Sequence, residues 1–258
     1  MDILLSICIV VYKRYSDALK LISAIEEYTN FDVKKVLYVV DNSPEKTKGR
    51  LSFIDNLKEF SDVEYVFTNG NLGFGGGHNF ILSKINSKYH AILNPDIVLS
   101  EDVFSTIIDY MNTKPDVGMV IPKITDENGH IQHVYRKEVT VLDMFIRVFC
   151  KRLFPKRVAD HTLQDMDYTK PFPVPFGQGS FLVIRSNIFK KLGGFDDRFF
   201  MYMEDADLSK RVNQVSKLMY IPYATVVHKW ERGSHKNIQL MIYHMKSMYY
   251  YFKKWRNR

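Results

Sequence analysis

An open, mostly parallel α/β sheet flanked by helices is the fold this sequence predicts, on three observations. Apolar runs of strand length alternate with stretches whose apolar residues recur at helical spacing. Several of those runs are apolar throughout, as strands covered on both faces must be. Polar residues stand where the runs stop, and in open α/β sheets that is where ligands bind. With 258 residues and an apolar share of 46%, the chain can bury a large core without disulfide staples.

Leu4–Tyr12 is the first strand. It lacks a basic leader and a small-residue cleavage site, so it reads as core and not as a signal peptide. Ser16 is placed to cap a helix in which Leu19, Ile22 and Ile25 repeat. Lys35–Asp41 is a second buried strand ending in Asp41-Asn42-Ser43, and Val63–Thr68 is a third ending in Asn69-Gly70-Asn71. A glycine-rich loop follows, with a short helix from about Asn79. Tyr89–Leu93 then runs into Asn94-Pro95-Asp96, Ser100 opens a helix through about Asn112, and Val117–Ile121 is the next strand. Past Pro122 the alternation loosens. Asn128-Gly129 marks a hairpin turn, and Thr140–Val158 is amphipathic and basic. The strand pattern returns at Gly179–Arg185, a helix begins near Glu204, and two strands, KLMYIP and ATVVH, follow. Tyr12, Asp41, Asn71 and Asp96 are expected to face one crevice at the strand ends.

Thirty-six Lys and Arg against 29 Asp and Glu leave a charge of +7, which suits an anionic partner. The basic residues are dispersed outside two amphipathic stretches, so no nucleic-acid face is expected. Cys8 and Cys150 share neither a disulfide nor a zinc spacing, which points to a reducing compartment. No apolar run approaches the length of a transmembrane helix. A cytoplasmic protein, soluble or peripheral on a membrane, is expected.

Four stretches bear chemistry. NLGFGGGHN (Asn71–Asn79) fails the dinucleotide spacing, because His78 stands where the third glycine belongs. It remains a turn or an anion-favouring entry to a helix. Asn94-Pro95-Asp96 offers an amide and a carboxylate two residues apart, suited to a hard divalent cation or to an Asx turn before the next helix. FFMYMEDADLSKRV puts Glu204, Asp205 and Asp207 at a helix mouth, where acids complement the dipole. The apolar run Phe199–Met203 before them could also raise a carboxylate toward the range of a general base. His228 closes a strand, as a metal ligand or a plain strand-end histidine.

Taken in order, CIVVYKR, VVDNS, NLGFGGGHN, LNPDIVL, GQGSFLVIR, GGFDDRFFMYMEDADLSKRV and YATVVHKW resemble the inverting family-2 glycosyltransferases of the GT-A fold, most of all their bacterial rhamnosyltransferase branch. The resemblance covers residues 4 to about 235. It implies that Val11 and Tyr12 line a nucleotide pocket and that Asp41 hydrogen-bonds a pyrimidine, on an edge that thymine and uracil share. Asn71, Gly73 and Phe74 would lie against base and ribose. Asn94 and Asp96 take the place of the family's D-x-D motif, with Asn for the first Asp and hence one charge fewer. Asn94, Asp96 and His228 would hold Mg²⁺ or Mn²⁺. Asp205, beside Glu204, would be the base that activates the acceptor hydroxyl, and Gly179 would let donor or acceptor approach the backbone. The implied reaction is transfer of L-rhamnose from dTDP-rhamnose, with inversion, to a lipid-linked glycan in cell-surface polysaccharide synthesis. A UDP-hexose or UDP-galactofuranose would fit the same motifs. A nucleotidyltransferase is the alternative from another class, but it needs a basic glycine-rich loop that VVYKRYSDA lacks.

On this reading residues 1–122 form the nucleotide-sugar half, 123–235 the acceptor half and 236–258 a C-terminal basic helix. In that helix Ile238, Met241, Ile242, Met245, Met248, Phe252 and Trp255 recur at helical spacing, with Lys246, Lys253, Lys254, Arg256 and Arg258 beside them. Such a helix suits the inner face of a bacterial membrane. Docking on its own domain or on a second subunit of a homodimer is the alternative, behind membrane contact, to which a lipid-linked acceptor would give a purpose.

Overall fold

The computed structural model describes residues 3–229 and 238–256, apart from the side chains of 148 and 149. Arg258 and the expected boundary at 235–236 lie outside them. The first half reads β1 (Ile3–Val11), α1 (Tyr15–Tyr28), β2 (Lys35–Asp41), α2 (Arg50–Leu57), β3 (Val63–Phe67), α3 (Gly73–Asn79), β4 (Ser87–Leu93), β5 (Ile97–Val98) and α4 (Val103–Thr113). Next come β6 (Val117–Thr125), β7 (Tyr135–Arg136), α5 (Val141–Phe145), a π-helical turn (Ile146–Cys150) and α6 (Pro155–His161). The chain then runs through β8 (Phe172–Pro173), β9 (Phe176–Gly177), β10 (Phe181–Arg185), α7 (Ser186–Lys191), α8 (Glu204–Asn213), β11 (Lys217–His228) and α9 (Ile238–Trp255).

One sheet holds nine of these strands in the order β3-β2-β1-β4-β10-β6-β11-β5, with β8 also on β11. The six long strands β1, β2, β3, β4, β6 and β11 run the same way. Only β10 and the two-residue β5 and β8 oppose them. The expected division at 122–123 falls inside β6, and β10 from the later segment inserts between β4 and β6. β1 and β4 are nearly all buried because helices cover both faces of the sheet, which explains their unbroken apolar runs.

Four expected boundaries move. α1 starts at Tyr15 with no side-chain cap, and Asp17 in its first turn is engaged by Arg14 instead of Ser16 capping it. Asp102, not Ser100, caps α4 by accepting from the Ser105 N–H at 3.0 Å. The glycine-rich segment is itself helical and ends near Asn79, where the sequence suggested that a helix begins. The two late strands are one, β11, whose pairing with β6 shifts register between Ile221 and Thr225. Pro222, which has no N–H for the ladder, lies in that step.

A second, smaller core sits apart from the main one. It joins Met144, Phe176, Phe199, Met203 and Ala206 to Tyr251 and Trp255 of α9. The C-terminal half of α9 therefore docks on the protein's own α8 region. In the N-terminal half, Ile238, Met241, Ile242 and Met245 are half or more exposed or nearly so.

Candidate active site

β4 carries the chain to Asn94-Pro95-Asp96, and pairing sets what meets it there. Leu93 lies opposite Phe181 of β10, and the Asn94 N–H extends that ladder to the Ser180 carbonyl at 2.9 Å. β5 places Ile97 against His228, and the Lys229 N–H donates to the Asp96 carbonyl at 3.2 Å. These ties bring together two residues 132 positions apart, with His228 Nε2 3.4 Å from Asp96 Oδ1. Arg14, which the motifs did not single out, approaches Asp96 Oδ2 at 3.3 Å. Asp96 Oδ1 and His228 Nδ1 are buried with no hydrogen-bond partner. A carboxylate oxygen with the imidazole Nε2 3.4 Å from it fits a divalent cation. Among the described residues no group of three or more His, Cys, Asp or Glu could hold one. An ion here would draw further ligands from outside the protein, and Asn94 is half-buried at the same strand end.

At the carboxyl ends of β1 and β2 the protein itself surrounds Asp41. Val11 pairs in register with Asp41, which puts both at one edge. Asp41 is fully buried, however, and its oxygens are occupied: Oδ2 accepts from the hydroxyls of Tyr15 at 3.0 Å and Tyr65 at 2.8 Å, and Oδ1 from the Ser43 N–H at 2.9 Å. The Arg50 guanidinium lies 3.5 Å away. Here the carboxylate assigned to a pyrimidine satisfies the protein, while Tyr12, Asn71 and Asp96 keep some exposure. Asn71 Oδ1 accepts from the Gly73 N–H at 2.9 Å and so opens α3. Gly73 must be glycine: its φ is +76°, and a Cβ would lie 1.8 Å from the Phe200 carbonyl oxygen. The Phe74 N–H donates to that same oxygen at 3.1 Å, stitching α3 to the segment before α8.

That segment bends sharply into the acidic helix. Tyr202 and Met203 both have positive φ, 69° and 66°, a strain of about 1–3 kcal/mol at each residue. It persists because Met203 and Phe199 are packed under α9, and Ser247 of α9 donates to the Met201 carbonyl at 2.8 Å. The three acids then part company. Asp207 turns away, held by Arg211 at 2.7 Å, Lys254 at 2.5 Å and the Trp255 indole N–H at 3.0 Å. Glu204 is buried with Oε2 unpartnered, and burial, reinforced by the Asp205 charge, pushes its carboxyl well up.

Asp205 is half-buried. Burial raises its carboxyl too, but the Gly179 N–H, Arg136, the Ala206 N–H and Arg147 each oppose that rise. The two N–H groups donate at 3.1 and 2.8 Å. Burial thus pushes both carboxyls up, Glu204 the further, while the donors around Asp205 favour its charged form. Gly179 lies close to Asp205 and Phe74, with a Cβ 3.3 Å from each, so its small size seats α8 and α3 against β10. Arg136 and Arg147 escaped sequence reasoning because they come from poorly patterned segments.

The family model for glycosyl transferase family 2 matches residues 6–193. The N-acetylglucosaminyl-diphospho-decaprenol L-rhamnosyltransferase of Mycobacterium tuberculosis is 26% identical over 186 residues, covering 67% of this chain and 60% of that protein. The rhamnosyltransferase WbbL of Escherichia coli K12 is 26% identical over 179 residues, 66% of each chain. The chain thus spans about three fifths of the first relative's length. Among solved structures, GalNAc-T7 with UDP, GalNAc and Mn²⁺ superposes with a TM-score of 0.67 at 14% identity, over 92% of this chain and 45% of that one. The Pyrobaculum calidifontis mannosyltransferase PcManGT with GDP-Man and Mn²⁺ gives 0.62 at 16% identity, over 90% and 58%. The chain belongs to glycosyl transferase family 2, on a GT-A type fold.

Proposed function

We propose that the protein transfers L-rhamnose from dTDP-rhamnose, with inversion, to a lipid-linked saccharide in cell-surface polysaccharide synthesis. One observation carries this reading: the segment Gln178–Ser180 places the ionisable Asp205 and the Asn94-Pro95-Asp96 end side by side. Gly179 donates to Asp205, and Ser180 accepts from Asn94. Asp205 takes the proton of the acceptor hydroxyl as that oxygen forms its bond to the anomeric carbon. The bond to the diphosphate breaks on the opposite face, and the single displacement inverts the configuration. Burial and the Asp205 charge push the Glu204 carboxyl well up, which favours a neutral Glu204 beside a charged Asp205.

Mg²⁺ or Mn²⁺ at Asp96 and His228, with Asn94 nearby, would offset charge on the departing nucleoside diphosphate. The names of the M. tuberculosis and E. coli relatives support rhamnose, and the former supports a lipid-diphosphate acceptor. For attachment to the inner membrane face, α9 offers exposed Ile238, Met241, Ile242 and Met245 beside Lys246. No helix among the described residues is long and apolar enough to cross a membrane.

The test is thermal stability against dTDP, UDP, GDP and their sugars, with and without Mg²⁺ or Mn²⁺. A nucleotide at a hundred times its Kd adds about 2.7 kcal/mol. A metal-dependent shift with dTDP-rhamnose is expected. A shift with a UDP-sugar alone replaces the donor, and no shift with any nucleotide overturns the reading.

A further inference from the structure

Along Gln178–Ser180 three groups follow in order. Arg136 Nη2 donates to the Gln178 side chain at 3.3 Å, Gly179 donates to Asp205, and Ser180 accepts from Asn94. If Asn94 marks the donor end and Asp205 the reacting hydroxyl, Arg136 stands on the acceptor side. It is 6% exposed, its guanidinium lies 5.1 Å from the centre of the Phe176 ring, and its Nε is buried with no hydrogen-bond partner. Arg147, in the π-helical turn that follows α5, is near enough to Asp205 and Arg136 to feel both charges.

No carboxylate comes within 4 Å of either arginine among the described residues, and Arg147 donates no hydrogen bond there. The two guanidiniums feel each other's charge. Asp143, the nearby acid, is already taken by Arg157 at 2.7 Å and by His161 at 3.7 Å. Asp205 faces the pair only at longer range, and both of its oxygens accept backbone N–H groups. Two sequestered cations with donors to spare are costly to keep without an anion.

We propose that Arg136 and Arg147 form an anion site beside Asp205 that takes the diphosphate joining the acceptor saccharide to its lipid. The proposal rests on the transferase reading above, since Asp205 orients the acceptor. Arginine suits the task, because its planar fork matches phosphate oxygens in pairs. Val141, Leu142 and Phe145 of α5, all more than half exposed, continue the site as an apolar exit for the lipid chain.

The test uses the full chain with its donor site filled by saturating nucleotide and Mg²⁺. Farnesyl diphosphate and inorganic pyrophosphate are titrated calorimetrically into wild type, Arg136→Gln, Arg147→Gln and Arg147→Lys. Wild type is expected to bind farnesyl diphosphate more tightly than pyrophosphate. Each Gln variant should lose about tenfold or more, Arg147→Lys should fall between, and nucleotide affinity should stay unchanged. Without ligand, Arg147→Gln should melt no lower than wild type, because it removes a cation with no ion pair within 4 Å among the described residues; an arginine kept for packing would show a lower melting temperature. Phosphatidylglycerol vesicles should bind wild type and variants alike, which separates a diphosphate site from a general anionic surface.

Equal farnesyl diphosphate affinity in wild type and Arg147→Gln, or none in wild type, overturns the site. Loss of vesicle binding in step with loss of farnesyl diphosphate does the same. If no nucleotide binds, the transferase reading fails separately, and titration of the nucleotide-free protein still reports on the two arginines. Should Arg136→Gln not fold, Arg147→Gln decides alone.

Discussion

Asp41 and Asp205 are both acids at the rim of the same sheet, and they are held in opposite ways. Asp41 sits among partners drawn from β1, β2 and β3 and their connections: Tyr15, Ser43, Arg50 and Tyr65 close around it until no exposure remains. Asp205 keeps some exposure, and its surroundings come from distant segments: Gly179, Arg136 and Arg147, under a strained bend braced by α9. A carboxylate whose donors are all supplied by the protein stabilises the fold. One left partly exposed, raised by burial and lowered by its neighbours, has the surroundings that the proposed proton acceptor needs.

Breaking this contrast at its most sensitive point means Asp205→Asn. Transfer should fall by about 10²–10⁴-fold, the usual worth of a general base, while nucleotide affinity from calorimetry stays at the wild-type value. Trp255→Ala comes next, because it removes a buried ring and the indole donor to Asp207. It should cost about 3 kcal/mol in chemical denaturation and lower kcat with little change in KM for the donor. Asp41→Asn should cost about 1–3 kcal/mol by denaturation, with kcat in the folded fraction near wild type. A large rise in donor KM at unchanged stability would instead restore Asp41 to the nucleotide.

The smallest effect is the one that sharpens the comparison. Burial raises the pKa of Glu204, so between its unfolded value near 4.5 and its higher folded value the native state binds more protons than the unfolded chain. Its contribution is complete below that unfolded value, and stability declines as pH rises through the window. Glu204→Gln should flatten this decline, seen as a melting temperature less sensitive to pH than that of wild type between pH 5 and about 8.

What the sequence made legible follows the range of the forces involved. β1, β2, β4 and β10 were readable because two-sided burial leaves continuous apolar runs. The residues at their ends were readable because topology sends strand termini to one edge. α3 was hidden by four glycines, poor helix formers that packing keeps helical here. α2 was hidden because only Phe53 and Leu57 of its eight residues are buried, too few to mark a period. The saturation of Asp41 and the approach of Arg136, Arg147 and Trp255 to α8 depend on pairings across the chain. No local pattern encodes them.

The dependence of kcat/KM on pH, measured in parallel for wild type and Glu204→Gln, tests most directly the claim that Asp205 is the ionising member of a tuned pair. The account predicts an acid limb in wild type, with activity falling tenfold per unit below an apparent constant above the ordinary carboxylate range, because Asp205 must lose its proton first. It predicts the same limb, little displaced, in Glu204→Gln, since Glu204 is already neutral there. A limb that vanishes in Glu204→Gln, or a wild-type profile flat to below about pH 4, would contradict it.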